Sequence, residues 1–192
     1  MVSDADLSTL ARRGDIRAFE ALVERYKERA YMVALGFVGS HEDALDLSQE
    51  AFVRAFRAMG SFRQGAPFYP WFYAILRNAC FNHLRRVRTR AETSLDAAQE
   101  SGFDVADTAS GPGEDAERAE LRRIVAHELR QLEPAHREII LLRHFENLSY
   151  REIADVLGCP IGTVMSRLYA ARRALGSRLA GRFGRAGRGG ER

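Results

Sequence analysis

The sequence is poor in the residue types that build covalent or metal-dependent sites. Its 192 residues include two cysteines, Cys80 and Cys159, with no CxxC pair and no Cys/His cluster. This argues against a disulfide framework and a zinc site, and it predicts that both cysteines serve as small buried apolar groups. No Walker loop, GxSxG or HExxH motif is present, and the five histidines are scattered. We therefore expect no enzymatic activity, no metal and no cofactor.

Long apolar runs are also lacking. No stretch approaches the ~20 apolar residues that a membrane-spanning helix needs, and residues 1–15 contain no signal-peptide core. The sequence therefore predicts a cytoplasmic protein without membrane insertion. A hydrophobic content of 46% and an aromatic content of 9% argue against global disorder.

Lysine is almost absent, and charge is distributed unevenly. Of the 29 basic residues only Lys27 is a lysine, which fits either bidentate phosphate and guanine binding or an arginine-biased genome. Residues 61–90 carry six arginines and no acid, and residues 161–192 carry eight arginines and one acid. Between them, residues 91–120 carry nine acids and one base. Two basic blocks separated by an acidic spacer suggest two surfaces that contact a polyanion.

One stretch, residues 148–175, has the pattern of two helices joined by a tight turn. Ser149 and Glu152 have capping-box spacing, Gly158 supplies a left-handed stop, and Pro160 suits the first turn of the next helix. This arrangement is typical of a helix-turn-helix, although an ordinary amphipathic hairpin has the same spacing. The second helix is predicted to bury Ile161, Val164, Leu168, Ala171 and Leu175. Its outward side chains suit base edges and phosphates; they are Thr163, Ser166, Arg167, Tyr169, Arg172 and Arg173.

The N-terminal part predicts further helices. A short helix over residues 4–13 precedes one that Asp15 caps and Gly39 ends. Ser40 then caps a helix whose Leu45, Phe52, Phe56 and Met59 are predicted to face inward. Its outer side carries Asp43, Asp46, Glu50, Arg54 and Arg57. This charged stripe complements the helix dipole, and it is equally consistent with a surface that faces a partner.

A loop rich in aromatic residues, residues 60–70, leads into a basic helix. Phe62, Phe68 and Tyr69 either provide stacking platforms for unpaired bases or fold back on the core. The helix starts at Pro70, and His83 on its apolar side is predicted to be a core histidine. Its polar side suits melted DNA because rings stack, amides read base edges and cations track phosphates; that side carries Trp71, Asn78, Asn82 and Arg85.

The predicted fold class is all-α, with two small helical domains joined by a flexible acidic linker. The first domain spans residues 1–90 and the linker residues 91–116, which act as a tether or as a mimic of nucleic acid. The second domain spans residues 117–179 and ends in the helix-turn-helix. The Gly/Arg-rich tail, residues 180–192, is predicted to be disordered.

With both basic blocks identified, the sequence resembles the extracytoplasmic-function (ECF) sigma factors of bacterial RNA polymerase. DALDLSQEAFVRAF (43–56) is similar to the family's helix that binds core polymerase. FYPWFYAILRNACFNHLRR (68–86) resembles its −10 promoter helix. Residues 132–175 resemble its −35-binding domain. Three such segments in this order, separated by a short linker, are a specific match.

The resemblance implies a transcription initiation factor that binds core polymerase, recognises two promoter elements and nucleates DNA opening without a covalent step. Core polymerase would be bound by Asp43, Asp46, Gln49 and Glu50. The −10 element and strand opening would involve Phe62, Tyr69, Trp71, Asn78, Asn82 and Arg85, with a flipped base captured near the two asparagines. The −35 element would be contacted by Thr163, Ser166, Arg167, Tyr169, Arg172 and Arg173. An anti-sigma factor is a further implied partner.

Two residues depart from the family's pattern. Met165 and Ala170 stand where many relatives have basic residues, so the sequence of the −35 element cannot be copied from another member. Two competing hypotheses are a stand-alone helix-turn-helix regulator, which leaves the acidic helix and the aromatic loop unused, and a protein scaffold without DNA dependence.

Overall fold

The computed structural model describes residues 2–93 and 115–186. All regular structure in these two ranges is helical, as predicted. The described residues form two compact units, one from residues 2–93 and the other from most of residues 115–186. Among the described residues no helix is both long and apolar enough to cross a membrane. The greater part of the predicted acidic linker lies outside the described residues.

The first unit consists of four α-helices. Helix α2 packs against α1 and α3, and α3 packs against α4. A 3-10 turn, Met59–Ser61, follows α3 directly. The helices are α1 (Asp4–Arg12), α2 (Ile16–Val38), α3 (His41–Ala58) and α4 (Phe68–Thr93).

Local signals set the ends of these helices. The Asp15 carboxylate accepts a hydrogen bond from the Ala18 amide at the start of α2, and Ser40 accepts one from the Asp43 amide at the start of α3. Between them Gly39 has φ +73° and its N–H donates to the Leu35 carbonyl. A left-handed φ is inexpensive only for glycine, so these residues fix the corner between α2 and α3, as the sequence predicted.

Aromatic rings fill the interior of the first unit. Phe72 is fully buried, and its ring centroid lies 4.4 Å from that of Phe52 and 5.8 Å from that of Phe68. The Tyr26 hydroxyl donates to Asp4, which ties α1 to α2. Burial and this carboxylate raise the pKa of Tyr26 to about 12. Each stacked pair of rings contributes about 0.5–1.5 kcal/mol of stability beyond the apolar area that it buries.

Some side chains predicted to face inward do not. Leu45 and Phe56 on α3 are half-exposed. A 3.6-residue period gives an apolar stripe whose edge residues lie at the rim of the core rather than inside it. His83 is also at the rim, where its Nε2 lies 3.7 Å from Oδ2 of Asp43.

The second unit is built around α8, which packs against α5 and α6. A single π-helical turn, Leu141–Phe145, continues α6 directly. Two residues after this turn, Asn147 has a left-handed φ of +52° and lies just before the next helix. The α-helices are α5 (Asp115–Arg130), α6 (Pro134–Ile140), α7 (Tyr150–Leu157) and α8 (Ile161–Ala186).

The helix-turn-helix forms from α7 and α8 as the sequence predicted. The Glu152 carboxylate accepts from the Ser149 amide at 2.8 Å, and the Ser149 hydroxyl accepts from the Glu152 amide at 3.3 Å. This reciprocal pair is a capping box. Gly158 has φ +61°, and the Pro160 carbonyl accepts from the Thr163 amide at 2.9 Å, so Pro160 caps α8 rather than opening its first turn.

Aliphatic side chains form the core of the second unit. Ile139, Leu142, Ile153 and Leu168 are fully buried. Ile161 was predicted to join them, but it is half-exposed because it is the first residue of α8 and lies at the margin of this core.

Helix α8 continues beyond the predicted start of the disordered tail. It runs to Ala186, and residues 187–192 of the predicted tail lie outside the described part. Nε of Arg178 donates to Glu128 on α5 at 2.9 Å, and Nη1 of Arg182 lies 3.7 Å from the same carboxylate. These two arginines are one helical turn apart, so a single acid on α5 stabilises a glycine-containing stretch as helix.

The two cysteines differ in environment. Cys80 is buried in the first unit, and burial raises the pKa of its thiol to about 12. A thiol held in this protonated form is a poor nucleophile. Cys159 is only partly buried, so the prediction of a buried apolar role holds for Cys80 alone.

Candidate nucleic-acid and polymerase interfaces

The acidic stripe of α3 lies on the surface of the first unit. Asp46 and Gln49 are exposed, while Asp43 and Glu50 are partly so. The Glu50 carboxylate accepts a hydrogen bond from Arg54 at 2.7 Å, one helical turn further on. The structure thus brings the four predicted polymerase-binding side chains together along one helix.

A groove of about 390 Å³ adjoins this stripe between α2 and α3. Gln49 belongs to both the stripe and the groove, and Leu45, one of the half-exposed apolar residues, forms part of the wall. The full lining is Val23, Lys27, Glu28, Tyr31, Leu45, Ser48, Gln49 and Phe52. The sequence pattern placed Leu45 in the core and so missed this apolar opening, which only the packing of two helices creates.

One face of α4 carries polar and aromatic side chains together. Trp71, Asn78, Asn82 and Arg85 follow one another at steps of seven, four and three residues, which places them on one side of a helix. The two asparagines and Arg85 are exposed, and Trp71 is partly buried. Nη2 of Arg85 donates to Oδ1 of Asn82 at 3.4 Å. This face can offer amide, guanidinium and ring contacts to an unpaired strand.

Phe62 and Tyr69 lie behind that face rather than on it. Phe62 is 3% exposed and Tyr69 is 8% exposed. The Phe62 ring lies 5.0 Å from that of Trp71, and the Arg29 guanidinium lies 3.6 Å over the ring of Tyr69. Of the two alternatives that the sequence left open, this burial favours folding back on the core for both rings.

The outward side of α8 is strongly basic. The helix contains six arginines and no acid. Of the side chains predicted to contact DNA, Ser166, Tyr169, Arg172 and Arg173 are exposed, and Thr163 and Arg167 are partly exposed. The fully buried Val164 and Leu168 lie on the opposite side and hold the helix to its unit.

Residues of the π-helical turn reach this surface, which the sequence did not predict. Nε2 of His144 lies 3.4 Å from Nη2 of Arg172. Partial burial, together with the charges of Arg172 and Arg143, lowers the pKa of His144, so the neutral ring faces the guanidinium as an acceptor. His144 and Arg172 are 28 residues apart, and no local spacing signals such a pair.

Comparison with known proteins decides the family. The Sigma-70 region 2 model matches residues 22–90 and the Sigma-70 region 4 model matches residues 122–175. The RNA polymerase sigma-H factor of Pseudomonas aeruginosa is 39% identical over 180 residues, which cover 92% of this chain and 93% of that protein. The ECF RNA polymerase sigma-E factor of Escherichia coli K12 is 36% identical, covering 93% of this chain and 95% of that factor. This chain belongs to the ECF RNA polymerase sigma factors.

Solved sigma-factor structures agree with the fold. CnrH in complex with the cytosolic domain of CnrY has a TM-score of 0.67 at 28% identity, covering 93% of this chain and 97% of CnrH. The sigma factor RpoE in complex with the anti-sigma factor NepR, from Bartonella quintana, has a TM-score of 0.68 at 24% identity. The match covers 85% of this chain and 98% of that chain. The matches extend over both units, so the family accounts for the acidic helix and the aromatic loop that a stand-alone regulator would leave unused.

Proposed function

We propose that this sigma factor divides its contacts among three surfaces, one each for core polymerase, the −10 element and the −35 element. The separation of charge supports this division most directly. The stripe on α3 is acidic, whereas α8 has six arginines and no acid, and residues 61–90 likewise contain no acid. Basic surfaces without acidic residues attract the phosphate backbone of DNA, whereas an acidic surface repels it.

The polymerase-binding surface of this proposal is the stripe of Asp43, Asp46, Gln49 and Glu50. Charged rim residues set orientation and the rate of association, whereas affinity depends on a well-packed apolar centre. The adjoining groove, which includes Gln49 and Leu45, provides that centre. A partner helix that presents basic residues beside a large apolar side chain fits both features.

The −10 surface of the proposal is the polar face of α4. Asn78 and Asn82 are exposed one turn apart and hold a flipped base by its edge. Arg85 contacts phosphate, and Trp71 stacks at the melted junction. The resemblance also included Phe62 and Tyr69 in this set, but both rings are buried and act indirectly. Phe62 packs against Trp71, and Tyr69 packs against the Arg29 guanidinium.

The −35 surface of the proposal is the exposed side of α8. Ser166 and Thr163 lie near its N-terminus, the part of a recognition helix that contacts base edges. The remaining contacts are Arg167, Tyr169, Arg172 and Arg173. The neutral ring of His144 accepts from Arg172 and orients its guanidinium.

The same surfaces suggest how the protein is controlled and where it acts. CnrH, at 28% identity, was solved with the cytosolic domain of CnrY. The sigma factor RpoE was solved with the anti-sigma factor NepR. We propose that an anti-sigma factor binds the present chain as well and covers its polymerase-binding surface. The protein then acts in the cytoplasm with core polymerase and performs no covalent chemistry itself.

Run-off transcription with core polymerase over a library of genomic promoter fragments tests the proposal. The full chain is expected to direct specific initiation and, through the start sites, to reveal both promoter elements. Without it, core polymerase should start at none of these sites. A footprint by the chain alone, with no initiation, would instead support a stand-alone regulator.

Glu50→Lys tests the polymerase-binding surface. It reverses a charge on the stripe and is expected to lower polymerase capture by about tenfold or more, because a like charge then faces a basic partner. The matched control is Glu133→Lys, the same change at an exposed residue of the second unit that forms no side-chain cap. Normal capture by a folded Glu50→Lys protein would remove this residue from the surface.

Asn78→Ala tests the assignment of strand opening to α4. It is expected to reduce open-complex formation on duplex promoters by about tenfold, because a flipped base loses hydrogen bonds that offset unstacking. A pre-melted promoter is the internal control, since it does not require the duplex to be opened. Equal losses on both templates would argue against a role specific to opening.

A further inference from the structure

Apolar side chains occupy part of the exposed side of the recognition helix. Ile161 is 48% exposed, Met165 is 55% exposed and Tyr169 is 66% exposed. They are spaced four residues apart, so they form a continuous stripe along α8. The core of the second unit uses the other side of the helix, where Val164 and Leu168 are buried.

The stripe lies among the groups assigned to the −35 element. Met165 directly precedes Ser166 in the chain, and Tyr169 is one turn further on, with the Arg173 guanidinium 6.0 Å from the centre of its ring. Met165 is thus flanked by a hydroxyl and an aromatic ring near the start of the helix, where side chains reach base edges.

Charge identifies nucleic acid as the occupant of this stripe. No acid lies anywhere on α8, and Arg172 and Arg173 follow Tyr169 by three and four residues, which places them beside the apolar stripe. DNA neutralises these cations with its phosphates, and its base edges also present apolar groups. In the major groove that apolar group is the 5-methyl of thymine, which distinguishes a T·A pair from the other base pairs.

We propose that Met165 reads the 5-methyl group of a thymine in the −35 element. This inference rests on the proposed function of α8 and specifies the base that the helix prefers. A thioether makes no strong hydrogen bond to a base edge, but it adapts its shape to an apolar group. Tyr169 and Ile161 extend the apolar contact on either side of Met165.

Replacement of thymine by deoxyuridine tests this directly, since only the methyl group is removed. Each thymine of the −35 element, as defined by the run-off experiment, is replaced singly, and holoenzyme affinity is measured at fixed salt. At one position we expect a loss of about threefold to fivefold, the value of one buried methyl group.

The same duplexes are then measured with holoenzyme containing Met165→Ala. This variant is expected to bind thymine and deoxyuridine equally at that position. Met32→Ala is the matched control because Met32 is 49% exposed on α2, outside the proposed DNA surface. It should keep the full difference between the two bases.

Two groups of results overturn different statements. Suppose that the holoenzyme initiates, but that its affinity for every deoxyuridine duplex is within about twofold of its affinity for the thymine duplex. This difference is smaller than the value of one buried methyl group. The methyl readout is then wrong, and the sigma role stands. The methyl readout is equally wrong if the −35 element lacks thymine, or if the Met165→Ala protein still distinguishes the bases. Unchanged DNA affinity of that variant would assign the stripe to a protein partner. Failure of wild-type initiation would overturn the proposed function and the inference together.

Discussion

The interior of the first unit differs from that of the second in the kind of side chain that fills it. Among the described residues of the first unit, Ser8 and Ser48 are the buried polar ones. Both hydroxyls donate to carbonyls of their own helices, at 2.6 Å to Asp4 and 2.8 Å to Leu45. The remaining volume is taken largely by rings such as Phe72 and Tyr73.

The second unit buries charged groups. Arg137 donates from Nε to the Leu129 carbonyl at 3.1 Å and from Nη2 to the carbonyls of Arg130 and Leu132. It thereby satisfies the last carbonyls of α5 and the turn that follows it. Burial and the charge of Arg130 lower the pKa of Arg137 to about 10, which leaves the guanidinium protonated at neutral pH.

This contrast shows two ways to stabilise a small helical unit. Four helices can surround a cluster of rings, and the stability then follows the apolar area buried. A unit with fewer large side chains buries less, and polar groups that connect its helices contribute more of the total. The chain has one tryptophan, Trp71, in the first unit, so its fluorescence reports on that unit alone.

The largest expected effect comes from Phe72→Ala in the ring cluster. Removal of a fully buried phenylalanine is expected to lower the free energy of unfolding of the first unit by about 3–5 kcal/mol. Urea unfolding followed by Trp71 fluorescence measures it. Phe56→Ala, at a half-exposed ring, should cost distinctly less. Equal shifts for the two variants would break the argument that burial controls this unit.

Arg137→Ala should be the largest effect in the second unit. Three carbonyls lose a bond to the guanidinium, although that of Leu129 still accepts from the Leu132 amide. We expect about 3 kcal/mol of lost stability, seen by far-UV circular dichroism. The Trp71 transition should not move. Arg151→Ala, an exposed arginine on α7, provides the control for charge. A shift of both transitions by the same amount would mean that the units do not unfold independently.

Ser149→Ala is expected to have the smallest of these effects. It removes one half of the capping box, which is worth about 1 kcal/mol to the second unit. Circular dichroism unfolding should show the loss, while Ser177→Ala, at an exposed site within α8, should be neutral or slightly stabilising. An unchanged midpoint for Ser149→Ala would show that tertiary contacts alone fix the start of α7.

Elements set by neighbouring residues could be predicted from the sequence. The caps at Asp15, Ser40 and Ser149, and the left-handed residues Gly39 and Gly158, are where the pattern placed them. Each depends on residues within one turn, so its signal is local. The exposed polar sides of α4 and α8 followed from the same periodicity.

Features that depend on distant residues could not be predicted in this way. The continuation of α8 depends on Glu128, which is 50 residues from Arg178. The burial of Phe62 depends on Phe68 and Trp71, which only the folded loop brings near. Leu45 and Ile161 were predicted to be buried because a helical period identifies a face and does not show how far the neighbouring helix covers it.

The length of α8 has a mechanical consequence. At about 1.5 Å per residue, a helix of 26 residues is a rod of roughly 39 Å. Its first turns carry the side chains proposed to touch bases, and its far part is anchored by Arg178 and Arg182 to Glu128. Val164 and Leu168 are buried near the other end, so the rod is fixed to its unit at two places. The DNA-facing side chains are therefore carried on a stiff support, and a load on the half-exposed Phe183 is shared between both attachments.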